Sequence, residues 1–170
     1  MDAVERAMEE RQRREKEEKD YRYGGDPDAI MAALKAELKP DADAAPGRIK
    51  EAEAYIPSAL AELDRLEKTH LSKNPHYAMQ IDQLRFAALN GVSAIREALN
   101  RYNELSVKEL TPGLRYIDRA AALRSEINPG LITGRGLVAS LKKGIEELQG
   151  RIDAKEKREA DNRALGMPGY

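Results

Sequence analysis

Apolar residues in this chain recur at helical spacing from one end to the other, and no alternating strand pattern stands out. Residues 1–22 are the exception to apolar periodicity. Glu9–Arg13, Glu10–Arg14, Glu15–Lys19 and Glu18–Arg22 stand four apart, with Val4, Ala7 and Met8 as the main apolar positions. That predicts a solvated helical arm, ended by Gly24-Gly25. Asp26 and Pro27 then suit a helix start, with Ile30, Met31, Leu34 and Leu38 as its stripe. Lys39-Pro40 reads as its stop and residues 40–47, PDADAAPG, as a linker.

A long helix is expected from about residue 48 to 72. Its stripe is Ile49, Ala52, Ile56, Ala59, Leu63 and Leu66, with Leu60 widening it and Pro57 kinking or breaking it. Residues 70–76 read as a turn, with Asn74 and Pro75 opening the next helix. That helix reaches about Glu104 along Ile81, Leu84, Ala88, Val92, Ile95, Leu99 and Tyr102, an eleven-residue repeat that makes a nearly straight stripe. Its middle is slim, so a neighbour can approach Ala88, Val92 and Ile95 closely. The pair forms an antiparallel hairpin over 48–105.

Thr111-Pro112 starts a further helix carrying Leu114, Ile117, Ala121, Leu123 and Ile127. Asn128-Pro129-Gly130 reads as its end, and residues 128–136 as a glycine-rich loop. The last helix begins near Leu137. Val138, Leu141, Ile145, Leu148 and Ile152 fall at heptad spacing before the sequence turns fully charged through Arg163. The expected fold is all-α: an antiparallel helical hairpin or bundle core with long charged N- and C-terminal helical arms. Its expected organisation is an arm over 1–25, a core over 26–130, and a heptad-bearing helix and tail over 131–170.

Composition sharpens this picture. Leu, Ile, Val and Phe number only 33 of 170 residues, while 35% of the chain is charged. Thin, alanine-rich helices follow, each burying little area and relying on packing against further surfaces. Lys and Arg total 29 against 30 acids, so no strong net field attracts nucleic acid or an anionic membrane. No stretch approaches the ~20 apolar residues of a membrane span. No apolar leader follows Met1, and the expected compartment is the cytoplasm or an assembly formed there, a virion included. Absence of cysteine removes disulfides, thiol chemistry and cysteine ligands.

Candidate chemistry is sparse. Glu67 and His70 make one E-x-x-H step where di-metal bundles need two, and His76 has no such companion, so no metal or cofactor is expected. The loop Gly130–Gly136 precedes a helix but lacks the Lys-Ser/Thr ending of a phosphate-binding loop. No serine sits in a nucleophile-elbow context, and catalysis is not expected. Arg115, Arg119 and Arg124 allow a helix-turn-helix reading of Leu110–Leu123, but pairing with Asp118 and Glu126 accounts for them as an ordinary polar face.

The strongest signals concern association. Val138, Leu141, Ile145, Leu148 and Ile152, with Ala88, Val92 and Ile95, are candidate seams to another subunit. Intrachain packing of the last helix on the hairpin is the competing role. The expected function is therefore a non-enzymatic structural or assembly protein, acting as a homo-oligomer or as a subunit of a larger complex. In composition the chain resembles the small α-helical components of phage particles and packaging machines. One alternative is a nucleic-acid-linked packaging adaptor using Arg11, Arg13, Arg14, Lys16, Lys19 and Arg22, with Tyr21 and Tyr23 to stack on bases. Interleaved acids oppose it. A regulatory module holding a partner's helix in the 48–105 hairpin groove is another.

Overall fold

The computed structural model describes residues 2–70, 75–110 and 114–166. The fold is all-α, and among the described residues no strand occurs. The helices are α1 (Ala3–Arg22), α2 (Pro27–His70), α3 (Pro75–Glu104), α4 (Tyr116–Thr133) and α5 (Leu137–Ala164), with a 3-10 turn at Val107–Glu109. The chain forms two compact units, residues 1–44 with 97–131 and residues 45–96 with 132–170.

Helix α2 is one 44-residue helix. The expected linker at 40–47 and the expected break at Pro57 are both absent, since Pro40, Pro46 and Pro57 lie within it. The reason is the buried stripe. Leu38, Ala42, Ala45, Ile49, Ala52, Ala59 and Leu63 continue the alternating four- and three-residue spacing straight through the presumed linker. All three prolines occupy exposed positions, and water can satisfy the carbonyls that Pro40 and Pro57 leave without a helical donor, those of exposed Ala36 and Glu53. Helix α4 repeats the lesson. It runs through Pro129 to Thr133 because Leu131, one turn beyond Ile127, is fully buried. The predicted 128–136 loop shrinks to residues 134–136. The expected start at Thr111-Pro112 lies outside the described residues.

In the unit built from 45–96 and 132–170, the core is a three-helix bundle. Ala59, Leu63 and Leu66 of α2, Tyr77 and Ile81 of α3, and Ile145, Leu148 and Ile152 of α5 form one cluster, with Tyr55 and Leu84 packed against it. Ion pairs fix the helix directions. Arg85 reaches Asp64 at 2.9 Å and Glu67 at 2.7 Å, while Arg96, eleven residues on, pairs with Glu53, eleven residues before Asp64. α2 and α3 are therefore antiparallel here, the predicted hairpin. Lys142 over the Tyr55 ring and Arg65 to Gln149 at 2.7 Å run in the same sense along both helices, so α5 lies parallel to α2. Two glycines let α3 and α5 close up: a Cβ on Gly91 would meet Leu137 at 2.7 Å, and one on Gly144 would meet Leu84 at 2.5 Å.

The other unit buries Met31, Leu34 and Leu38 of α2 with Ala98, Leu105, Leu110, Tyr116, Ala120, Leu123 and Ile127. Arg101 ties it together. Its guanidinium donates twice to Glu109, both at 2.9 Å, and once to Glu126 at 3.0 Å. Arg119 donates to the Glu109 carbonyl at 3.1 Å. The irregular stretch after α3 is thus clamped to α4 by charge-assisted bonds. The Arg101 hydrogen bonds hold the Glu109 carboxyl below the usual range.

Candidate interaction surfaces

Helix α1 buries no residue. Asp2 caps it by accepting from the Glu5 N–H at 2.8 Å. Along its length Arg14 pairs with Glu10 at 2.7 Å, Arg11 with Glu15 at 3.3 Å and Arg13 with Glu17 at 3.9 Å. These local pairs hold a helix that has no core of its own. Its end is fixed more firmly. Gly24 and Gly25 take φ of +97° and +121°, the Gly25 N–H donates to the Asp20 carbonyl at 2.7 Å, and the Tyr116 N–H donates to the Tyr23 carbonyl at 2.7 Å. The Tyr23 and Tyr116 rings pack at a tilt, 5.7 Å apart, beside this bond. The six cations proposed for nucleic acid (Arg11, Arg13, Arg14, Lys16, Lys19 and Arg22) all stand on this exposed helix, with acids around its whole circumference. Coiling the sequence into a helix therefore produces no basic face, and three of the six are ion-paired within α1.

The residues singled out as seams lie inside the chain's own bundle. Ala88, Val92, Ile95, Leu141, Ile145, Leu148 and Ile152 are all buried within one copy, and Val138 is half-buried. Packing of α5 on the hairpin occupies them. A second chain could reach them only by opening that core.

The other candidates resolve in the same direction. Glu67, half of the E-x-x-H step, is ion-paired with Arg85. Among the described residues no group of three His, Asp or Glu side chains stands close enough to hold a metal. Of the glycine loop, Gly134 packs against Arg48 and Ile95, a close approach within the bundle. Arg119 and Arg124 are turned to the Glu109 carbonyl and to Glu37, and the Arg115 side chain lies along Gly24. No helix among the described residues is long and apolar enough to cross a membrane.

What the fold leaves outside is more informative. On the outward side of α3, Met79 is 58% exposed, Phe86 69% and Leu89 58%. With Pro75, Asp82, Ser93 and Arg96 they form a second heptad line, spaced alternately four and three, beside the buried one. Met79, Phe86, Pro75 and Ala78 line a shallow apolar groove edged by Asp82 and Gln83. Phe86 is the only phenylalanine in the chain. Sequence reasoning passed over this line because it followed the stronger stripe through Ile81 and Ile95. The four-three spacing of Met79, Asp82, Phe86 and Leu89 was the signal. Comparisons with protein-family models, curated proteins and solved structures return no match to this chain.

Proposed function

We propose that this protein is a non-enzymatic structural or assembly protein that works as an oligomer of itself or within a larger complex. One observation carries the reading. A chain with very few large apolar side chains leaves its single phenylalanine, together with Met79 and Leu89, on the surface of a helix whose opposite side is fully packed. Grouped exposed apolar residues of this kind mark contact surfaces. The α1 arm, twenty residues without a buried side chain, supports the same reading, since it offers length and reach without contributing to the core.

The test is molar mass by light scattering after size-exclusion chromatography, on the full chain at low and moderate salt. A discrete multiple of 19.0 kDa at both salts is expected. A 19.0 kDa species at every concentration and salt defeats self-assembly.

A further inference from the structure

We propose that the outward line of α3 is a self-pairing surface, and that its occupant is the same line of a second copy running antiparallel. This rests on the assembly reading and names its partner. In an antiparallel pair of heptad helices each a position packs beside a d position of the other helix. Setting Phe86 beside Leu89 of the second copy, and Leu89 beside its Phe86, puts four exposed apolar groups at the two-fold axis. The same register then sets Asp82 beside Ser93 of the second copy and Met79 beside the stem of its Arg96.

Charge selects this direction. Asp82 and Arg96 are both exposed on the line. A parallel in-register pair would stack Asp82 on Asp82 and Arg96 on Arg96. The antiparallel pair instead brings each Asp82 within a turn of the opposite Arg96, twice by symmetry. Asp82 already meets Arg85 at 3.5 Å and Arg96 already meets Glu53, but a guanidinium has five donors and a carboxylate two oxygens, so both can take a further partner. Gln83 and Asn90, beside the line, carry no charge and oppose nothing on approach. Three large side chains more than half exposed on each copy, with this rim, bring the pair to about 1,000 Å² of buried surface, the lower end for specific association. A reversible dimer follows, one that forms toward the micromolar range and above.

The experiment has two arms. Light scattering of the wild-type chain from roughly micromolar to near-millimolar concentration should show mass rising to twice 19.0 kDa. Phe86→Asp with Leu89→Asp should shift that transition at least tenfold higher, with helical circular dichroism unchanged because both side chains are outside the core. For register, the cysteine-free background allows Asp82→Cys and Ser93→Cys proteins to be mixed under mild oxidation. Like residues in this register stand eleven residues apart, about 16 Å, beyond disulfide reach, so the mixed disulfide should exceed both homodimers. Disulfides of like with like in equal yield overturn the antiparallel register. An oligomer that ignores Phe86→Asp/Leu89→Asp overturns the surface and leaves the assembly reading standing. A wild-type chain monomeric throughout overturns both the surface and self-assembly.

Discussion

Helix α3 carries two heptad lines within a few residues of each other, and the bundle treats them oppositely. The inner line, Tyr77, Ile81, Ala88, Val92 and Ile95, is buried against α2 and α5. The outer line, Met79, Asp82, Phe86, Leu89, Ser93 and Arg96, faces away. Apart from Tyr77, the inner line is made of β-branched and small side chains, and a Cβ on Gly134 would stand 3.4 Å from Ile95. The outer one mixes large, loosely held apolar groups with one charge of each sign. The inner line identifies a fold. The apolar members of the outer line, which the core leaves unused, are where function is to be sought.

The largest effect that separates them is a buried charge. Ile81→Asp or Leu148→Asp places a carboxylate at a position with essentially no exposure, in the middle of the bundle. Loss of about 4 kcal/mol or more is expected, and the cooperative unfolding transition should disappear. Leu89→Asp should leave the melting temperature within a degree or two while weakening self-association. If both changes were equally damaging, the two lines would not differ in kind. Leu141→Asp with Leu148→Asp is expected to unfold the protein rather than merely separate subunits, since both side chains are buried within one copy.

Much of the fold was open to a reader of the sequence. The hairpin, the α5 stripe, the α1 arm and its Gly24-Gly25 end follow from spacing and glycine placement alone. What went astray is instructive. Residues 40–47 look like a linker because Pro40, Pro46 and Gly47 are strong local breakers, yet Ala42 and Ala45 keep the stripe in phase. Burial along a continuous face outweighs breakers that sit on the solvent side. The same competition was misjudged at Pro129, where Leu131 decides. For the candidate surface, the sequence shows that Val138–Ile152 is a heptad, but a heptad seam has the same form whether its partner is another chain or the next helix. Only the placement of α2 and α3 against it settles where those side chains go. Phe86 is the one phenylalanine of the chain and stands outside the strongest stripe.

A middle-sized effect comes from charge inside a unit. Glu109 is held below its ordinary range by Arg101, and both side chains are about three-quarters buried. Glu109→Gln should cost about 1–2 kcal/mol at neutral pH. Because the folded carboxyl is the more acidic one, its contribution is present above the unfolded value and is lost as pH falls through the folded one. The wild type should therefore lose part of its stability below about pH 5, and the variant should lose less over the same interval. Denaturant midpoints at neutral and acidic pH measure this directly. Equal acid slopes in both proteins would remove the Arg101 clamp as a source of stability. This contrasts with the exposed pairs of α1, where an Arg14→Gln change should move stability by only a few tenths of a kcal/mol.

Smaller still is the test of shape on the inner line. Gly91→Ala and Gly144→Ala both improve helix propensity by up to about 1 kcal/mol, and both press a methyl on a leucine. Leu137, which faces Gly91, is buried and cannot swing aside, so Gly91→Ala should be net destabilising by about 1 kcal/mol. Leu84, which faces Gly144, is only half-buried and can turn outward, so that change should be close to neutral despite the shorter 2.5 Å approach. A larger loss at Gly144 than at Gly91 would mean that distance, not freedom to move, governs packing on this face.

The smallest effect concerns glycines that touch nothing. Gly47 in α2 and Gly150 in α5 are exposed helix-interior positions with no atom within 4 Å of an added Cβ. Neither has the positive φ that would strain alanine. Alanine there should stabilise by about 0.5–1 kcal/mol, mainly by restricting the unfolded chain. Gly150→Ala calibrates the effect in a helix the sequence already predicts. Gly47→Ala applies it within the stretch that local breakers argue against. Equal increases in thermal midpoint would place residues 40–47 in regular helix in solution, with the stripe prevailing over its prolines. A gain at Gly150 with none at Gly47 would show the prolines loosening that stretch, and the continuous α2 would have to be redrawn as two helices.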